Sequence, residues 1–242
     1  MRTVLVTAFE PFGKDIENAA ALVCGALPDQ GCFLESPAAR PLKAKNDLSD
    51  RTHLSAETAA GYRIVKQILP TEFKAGAQAL LQAMDAARPH LVLCLGQAGS
   101  RSEITPERIA VNLMDARIPD NAGWQPDEEP VVPGGLPAYF TNVPVKAVVQ
   151  AAQEAGCPAA VSDSAGTYVC NCVFYTLMNR IAATPANETT PPLWGDFIHV
   201  PYVRGQKGVP EEKPARTLAE ITKTVQFFLE ETLRQMENIC PI

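Results

Sequence analysis

Short apolar runs alternate with segments of helical periodicity along most of the chain. Thr3–Phe9 is a β-rich apolar stretch broken by Glu10-Pro11-Phe12-Gly13, which predicts a buried first strand. Asn18–Leu27 is Ala-rich and reads as a helix ended by Pro28. Arg63–Leu69 predicts a strand closed by Pro70. Phe73, Ala77, Leu80, Leu81 and Met84 then recur at helical spacing between a candidate cap, Thr71, and a stop, Pro89. His90–Leu95 reads as another buried strand and Arg108–Met114 as one with alternation. Pro144–Ala155 predicts a helix with Gly156 at its C-terminal end. Ala159–Ser162 reads as a short strand and Ser164–Thr167 as a turn. A helix follows with Val173, Phe174, Leu177, Met178 and Ile181 on one face. Asp196–Tyr202 is the last strand, and the capping box Thr217-Leu218-Ala219-Glu220 opens a terminal amphipathic helix.

Two stretches break the alternation. Residues 30–60 hold prolines and charges with little apolar periodicity and read as a surface excursion; residues 119–140, rich in proline, read as an irregular loop. Strands alternating with helices predict an α/β fold. The expectation is a single domain over 1–242, a largely parallel twisted sheet flanked by helices on both faces. Sites in such sheets form where strands end at their carboxyl side, which directs attention to the loops after Phe9, Leu95, Ser162 and His199.

Composition narrows the function. At 46% hydrophobic and 20% charged residues over 242 positions, the chain can bury a core without staples. Twenty-one Lys and Arg against 27 Asp and Glu leave a net charge of −6, and no basic cluster offers nucleic acid a surface. The apolar runs are too short to span a bilayer, and the start Met1-Arg2-Thr3 lacks a signal peptide's pattern, so a cytoplasmic location is expected. Seven scattered cysteines read as reduced thiols rather than a disulfide framework.

Several chemistries fall away. There is no P-loop, Gly96-x-x-Gly99 lacks the dinucleotide spacing, and Ser162–Gly166 lacks the first glycine of a serine elbow. Neither HExxH nor CxxC occurs, so no metal and no cofactor is expected. Thiol chemistry remains. Cys170 falls after a turn and at the start of an amphipathic helix, where the dipole favours a thiolate and unpaired N–H groups can face an oxyanion. That position predicts a lowered thiol pKa. Cys172 points to another helix face and reads as a packed thiol. A cysteine nucleophile needs a base. His53 lies in the polar excursion, and His90 precedes a strand at the wrong end. His199 stands at the carboxyl end of the last strand, where it could equally be a core residue. Glu107 is the candidate to orient the imidazole, with Glu103 and Asp115 as rivals.

Longer blocks carry a resemblance. They are Val4–Gly13, Gly96–Arg101, Ile104–Asn112, Asp115–Asn121, Leu136–Phe140, Pro144–Ala147, Ser164–Asn171 and Phe197–Tyr202. In this order they resemble the pyroglutamyl peptidase I (pyrrolidone-carboxylate peptidase) family of cysteine peptidases. The resemblance implies an α/β fold akin to nucleoside phosphorylases, a cytosolic enzyme and a homotetramer. It implies Cys170 as nucleophile, His199 as base and acid, and Glu107 as the orienting carboxylate. Phe9 and Phe12 would sandwich a flat lactam, and Gln97 would hydrogen-bond it. Ile118, Tyr168 and Val169 match pocket-wall positions, with the Val169 backbone reading the ring amide, and Arg117 matches a residue near the oxyanion. The substrate would be a pyroglutamyl peptide. A nucleoside phosphorylase-like enzyme and a non-catalytic binder of pyroglutamyl peptides are the alternatives.

The chain departs from the family pattern at a few places. Ala8 stands where glycine is usual, Asn18-Ala19-Ala20 replaces Asn-Pro-Ser, and Cys172 replaces a common histidine. Residues 30–60 and 203–215 are longer than typical, and no role is read for the second.

Overall fold

A computed structural model describes residues 1–34, 59–184 and 192–239. The first strand, β1 (Arg2–Phe9), leads through a loop to α1 (Ala19–Ala26), whose N-cap Asn18 accepts from Ala20 N. The antiparallel pair β2 (Gln30–Leu34) and β3 (Ala59–Leu69) follows. Next come α2 (Phe73–Ala87), β4 (Leu91–Gln97), and the short strands β5 (Thr105–Pro106), β6 (Ile109–Val111) and β7 (Ala138–Phe140). Two helices, α3 (Val145–Glu154) and α4 (Val169–Ala182), precede β8 (Trp194–Val200). The chain then runs through the two-residue strands β9 (Tyr202–Val203) and β10 (Ala215–Arg216) to α5 (Leu218–Ile239).

The main sheet has the order β2-β3-β1-β4-β8-β5. Its four central strands are parallel, and antiparallel strands close both edges. Of the central strands, β1, β4 and β8 are buried along nearly their whole length on both faces, as strands covered by helices on either side require. One face packs Val4, Val6, Leu93 and Ile198 against α1, α3 and α5; the other packs Leu5, Val92, Cys94 and Phe197 against α2 and α4. This is the expected α/β architecture.

The structure revises some local expectations. Residues 30–34 form a strand rather than a loop; the rest of the expected excursion, from 35 to 58, lies outside the described residues, as does His53. Ala159–Ser162 makes only isolated bridges, to Ile104 and Glu107. The proline-rich stretch 119–140 contains β7, paired with β6. Thr71 does not cap α2. Its hydroxyl donates to Glu10 O, and Asp120 Oδ2 accepts the Phe73 N–H from 47 residues away. Ala8 lies within β1 with no positive φ, so its methyl fits where a strained turn would have needed glycine. The capping box forms as read: Thr217 N donates to Glu220 Oε2 at 2.9 Å, and Glu220 N to Thr217 Oγ1 at 3.2 Å.

Candidate active site

At their carboxyl ends the parallel strands open beneath the loops after β1, β4 and β8. Gly96 and His199 are register partners across β4 and β8. A Cβ at Gly96 would lie 3.0 Å from Cys170 Sγ and 2.7 Å from the Phe197 ring. The bare glycine lets the first turn of α4 settle on the sheet, so the thiol opens into the same cavity as the imidazole. Asn171 fixes that turn from the other side. Its buried amide accepts from Val111 N at 3.0 Å and donates to Val111 O and Leu113 O at 2.9 Å.

His199, 5% exposed, directs Nδ1 at Glu107 Oε1 across 2.7 Å. Glu107 is fully buried, and its own N–H is held by Phe197 O. Glu107, not Glu103 or Asp115, is the carboxylate against the imidazole. With Nδ1 engaged as donor, Nε2 is the nitrogen left to exchange a proton with Cys170. Glu103 borders a separate surface cavity, and Asp115 lines the same cavity as Cys170 without bonding His199.

The electrostatics correct one expectation. Cys170 keeps part of its surface open to the cavity, yet its enclosure, and then the negative charge of Glu107, push the thiol up to about 12. Desolvation also lowers the His199 pKa, against the pull of Glu107. Burial works to raise the Glu107 pKa, but its bonds to His199 and the Arg101 charge hold it below the usual carboxylate value. Burial thus opposes charge on both the Cys170 thiol and the His199 imidazole, while the partners of Glu107 favour its ionised form. At Cys170 burial works against the helix start, which favours a thiolate.

The cavity has a volume of about 660 Å³, and Cys170 and His199 both line it. Phe12, Tyr168 and Ile118 form apolar walls, with the Phe12 and Tyr168 rings 6.1 Å apart. Arg117 lines it too, from an exposed position. Gln97 reaches it from the opposite sheet face. One expected wall residue sits elsewhere. Phe9 is 2% exposed and packs on Phe197 behind the cavity, so the aromatic partner of Phe12 is Tyr168 rather than Phe9. The Val169 side chain is fully buried in the core, so the contact expected of this residue falls to its backbone. Tyr168 is held by its hydroxyl on Pro119 O at 3.0 Å and by Phe73, whose ring centroid is 5.3 Å away.

Three residues near the site carry no sequence motif of their own that assigns them a role. Asp15 Oδ2 accepts from Gln97 Nε2 at 2.6 Å, Gln206 Nε2 donates to Gln97 Oε1 at 2.8 Å, and Arg101 pairs with Glu107. Arg101 ends the segment Gly96–Arg101, but neither spacing nor periodicity singles it out. Cys172, by contrast, is the packed thiol expected, its Sγ 3.5 Å from Phe73 O. Among the described residues no group of three His, Cys, Asp or Glu side chains is arranged to hold a metal ion.

Comparison with known proteins accounts for this geometry. The family model described as Pyroglutamyl peptidase matches residues 46–235. The chain belongs to the pyroglutamyl peptidase family. It is 35% identical over 239 residues to the pyrrolidone-carboxylate peptidase of Bacillus cytotoxicus, covering 99% of this chain and 96% of that one. It is 43% identical over 206 residues to the enzyme of that name from Yersinia pestis, covering 85% and 81%. The crystal structure of Bacillus amyloliquefaciens pyroglutamyl peptidase I superposes with a TM-score of 0.75 at 36% identity, covering 95% and 96%. Neither the phosphorylase nor the non-catalytic alternative is favoured: the relatives are peptidases by name.

Proposed function

We propose that the protein is a cysteine omega-peptidase that hydrolyses the peptide bond after an N-terminal pyroglutamyl residue. The observation that carries this reading is one cavity joining the Cys170–His199–Glu107 series to aromatic walls and a side-chain amide. A pyroglutamyl ring is flat and neutral, with one N–H and one C=O. The Phe12 and Tyr168 rings match its apolar area, and Gln97 offers a hydrogen bond to its polar edge. A prolyl ring lacks the C=O and would leave that amide unpaired, which is a basis for rejection.

His199 Nε2 takes the thiol proton as Cys170 Sγ attacks the pyroglutamyl carbonyl carbon. The first-turn amides of α4 face the developing oxyanion; the N-cap Tyr168 makes no side-chain bond to them. Arg117 adds a cation on the cavity wall. His199 then hands the proton to the departing amine, leaving a thioester on Cys170. Water loses a proton to His199, attacks the thioester and releases pyroglutamate, and the proton returns to the thiolate. Glu107 keeps Nδ1 protonated and the ring oriented throughout. Release of a chromophore from a pyroglutamyl amide, blocked by a thiol alkylating agent, tests this reading; no release would refute it.

Free pyroglutamyl peptides are the inferred partners. No helix among the described residues is long and apolar enough to cross a membrane. Cytoplasmic residence is inferred from the family resemblance, and it is compatible with the free thiols at Cys24, Cys94 and Cys157. A homotetramer is likewise inferred from the resemblance. Exposed Leu136 and Phe140 supply apolar surface of the kind subunit contacts cover. Sedimentation equilibrium checks the assembly.

A further inference from the structure

We propose that Arg101 is a positioning residue of this reaction, gripping the Glu107 oxygen that also binds His199 and thereby limiting that oxygen's hold on the imidazole. The inference rests on the reading of Cys170 and His199 as the reacting pair. Arg101 Nη1 lies 2.6 Å from Glu107 Oε1, and His199 Nδ1 lies 2.7 Å from the same atom. Glu107 Oε2 has no partner in hydrogen-bond geometry, and the nearby Ser162 hydroxyl adds to holding the carboxylate ionised, so both charged contacts of the buried carboxylate fall on Oε1. Arg101 also bonds the Thr105 hydroxyl, and its Nη2 donates to Ser164 O at 3.1 Å. The residue thus ties the loop after β4 to the loop that leads into α4 and Cys170.

The shared oxygen matters because the resting imidazole must be neutral to accept the thiol proton. A buried carboxylate paired with His199 alone would favour the imidazolium, which has no lone pair for that proton. The Arg101 cation offsets this pull in two ways. It competes for Oε1, and it repels positive charge on His199; the Arg101 charge lowers the His199 pKa, as burial does first and more strongly. The charged and titratable groups around His199 are Glu107 after β5, Arg101 on the loop after β4 and Cys170 on α4. Asp115 and Arg117 line the cavity beyond it. These two are unchanged in an Arg101 variant, so a shift in such a variant isolates the Arg101 charge.

A purely structural Arg101 would act only as a clip between two loops. Its loss would lower thermal stability and leave the pH profile alone. The experiment measures kcat/KM against pH for wild type, Arg101→Gln and Arg101→Lys on a chromogenic pyroglutamyl amide, with Tm for each. Arg101→Gln should move the acid limb upward by roughly one pH unit as the imidazole becomes easier to protonate. Arg101→Lys keeps the charge and should hold the limb near its wild-type position while losing thermal stability. An Arg101→Gln enzyme with an unmoved acid limb overturns the proposal. Should Arg101→Gln fail to fold, ¹⁵N NMR of wild-type His199 decides. A neutral ring protonated at Nδ1 at pH 7 supports the proposal, and an imidazolium overturns it. A Cys170→Ser control separates the two levels: if it retains full activity, the reading of the reacting pair has failed, whatever Arg101 does.

Discussion

Gln97 Oε1 accepts two hydrogen bonds at 2.8 Å, one from Gln206 Nε2 and one from Ala19 N. Both lone-pair directions of that oxygen are therefore used, and Nε2 gives one of its two hydrogens to Asp15 Oδ2. The only capacity left is a single N–H. Gln97 can meet a substrate solely as a donor, and the matching group on a pyroglutamyl ring is its carbonyl oxygen.

Gln97→Ala should therefore lower kcat/KM for a pyroglutamyl amide by roughly 1–3 kcal/mol, mostly through KM. Selectivity over a prolyl amide should fall with it. Steady-state kinetics on the two substrates check this, and an unchanged selectivity ratio would count against the role of Gln97.

Gly96→Ala tests the seating of α4. The added methyl would meet Cys170 Sγ at 3.0 Å and the Phe197 ring at 2.7 Å. Overpacking there should cost roughly 1–3 kcal/mol of stability and displace the nucleophile, so kcat should fall along with Tm. Retention of full kcat would show that the close approach is not needed for chemistry.

The pH dependence tests whether the resting pair is neutral. Glu107 raises the His199 pKa against the desolvation that lowers it. Removing the charge in Glu107→Gln should let the imidazole pKa fall further. His199 would then remain neutral to lower pH, and the acid limb of kcat/KM should move down while kcat drops. A resting thiolate–imidazolium pair would instead shift the alkaline limb downward. The two profiles, recorded side by side, separate the cases.

Asp196 offers a stability test away from the chemistry. It is 2% exposed on β8, its Oδ1 has no hydrogen-bond partner, and burial holds its pKa well above the ordinary value. The folded protein therefore binds this proton more tightly than the unfolded chain. The resulting penalty is absent below the unfolded pKa of about 4 and grows as pH rises from there. Asp196→Asn removes the titration, so Tm of the variant minus that of wild type should be larger at pH 7 than at pH 4. A difference independent of pH would contradict this account.

Much of this architecture is written in local patterns. The apolar runs of β1, β4 and β8, the capping box of α5 and the lone histidine at a strand's carboxyl end are all short-range features. Cys170 and His199 stand out as candidates for that reason, and Glu107 stands level with Glu103 and Asp115 until the resemblance separates them. What escaped depends on long-range pairing. Asp120 caps α2 from 47 residues away, and Gln206 reaches Gln97 across 109. β7 is only three residues long and is defined by its partner β6, so its composition reads as loop. A helix start is visible in sequence, whereas the enclosure that raises the Cys170 thiol pKa is not. Phe9 and Phe12 look alike as neighbours in sequence, but β1 ends between them and turns one ring into the core.

The central claim is that Cys170 is the nucleophile. The most direct measurement is kcat/KM on a chromogenic pyroglutamyl amide for Cys170→Ser beside Cys172→Ala, each verified as folded by circular dichroism. The account predicts near-complete loss of turnover in Cys170→Ser and an active Cys172→Ala enzyme; substantial turnover in a folded Cys170→Ser protein would contradict it.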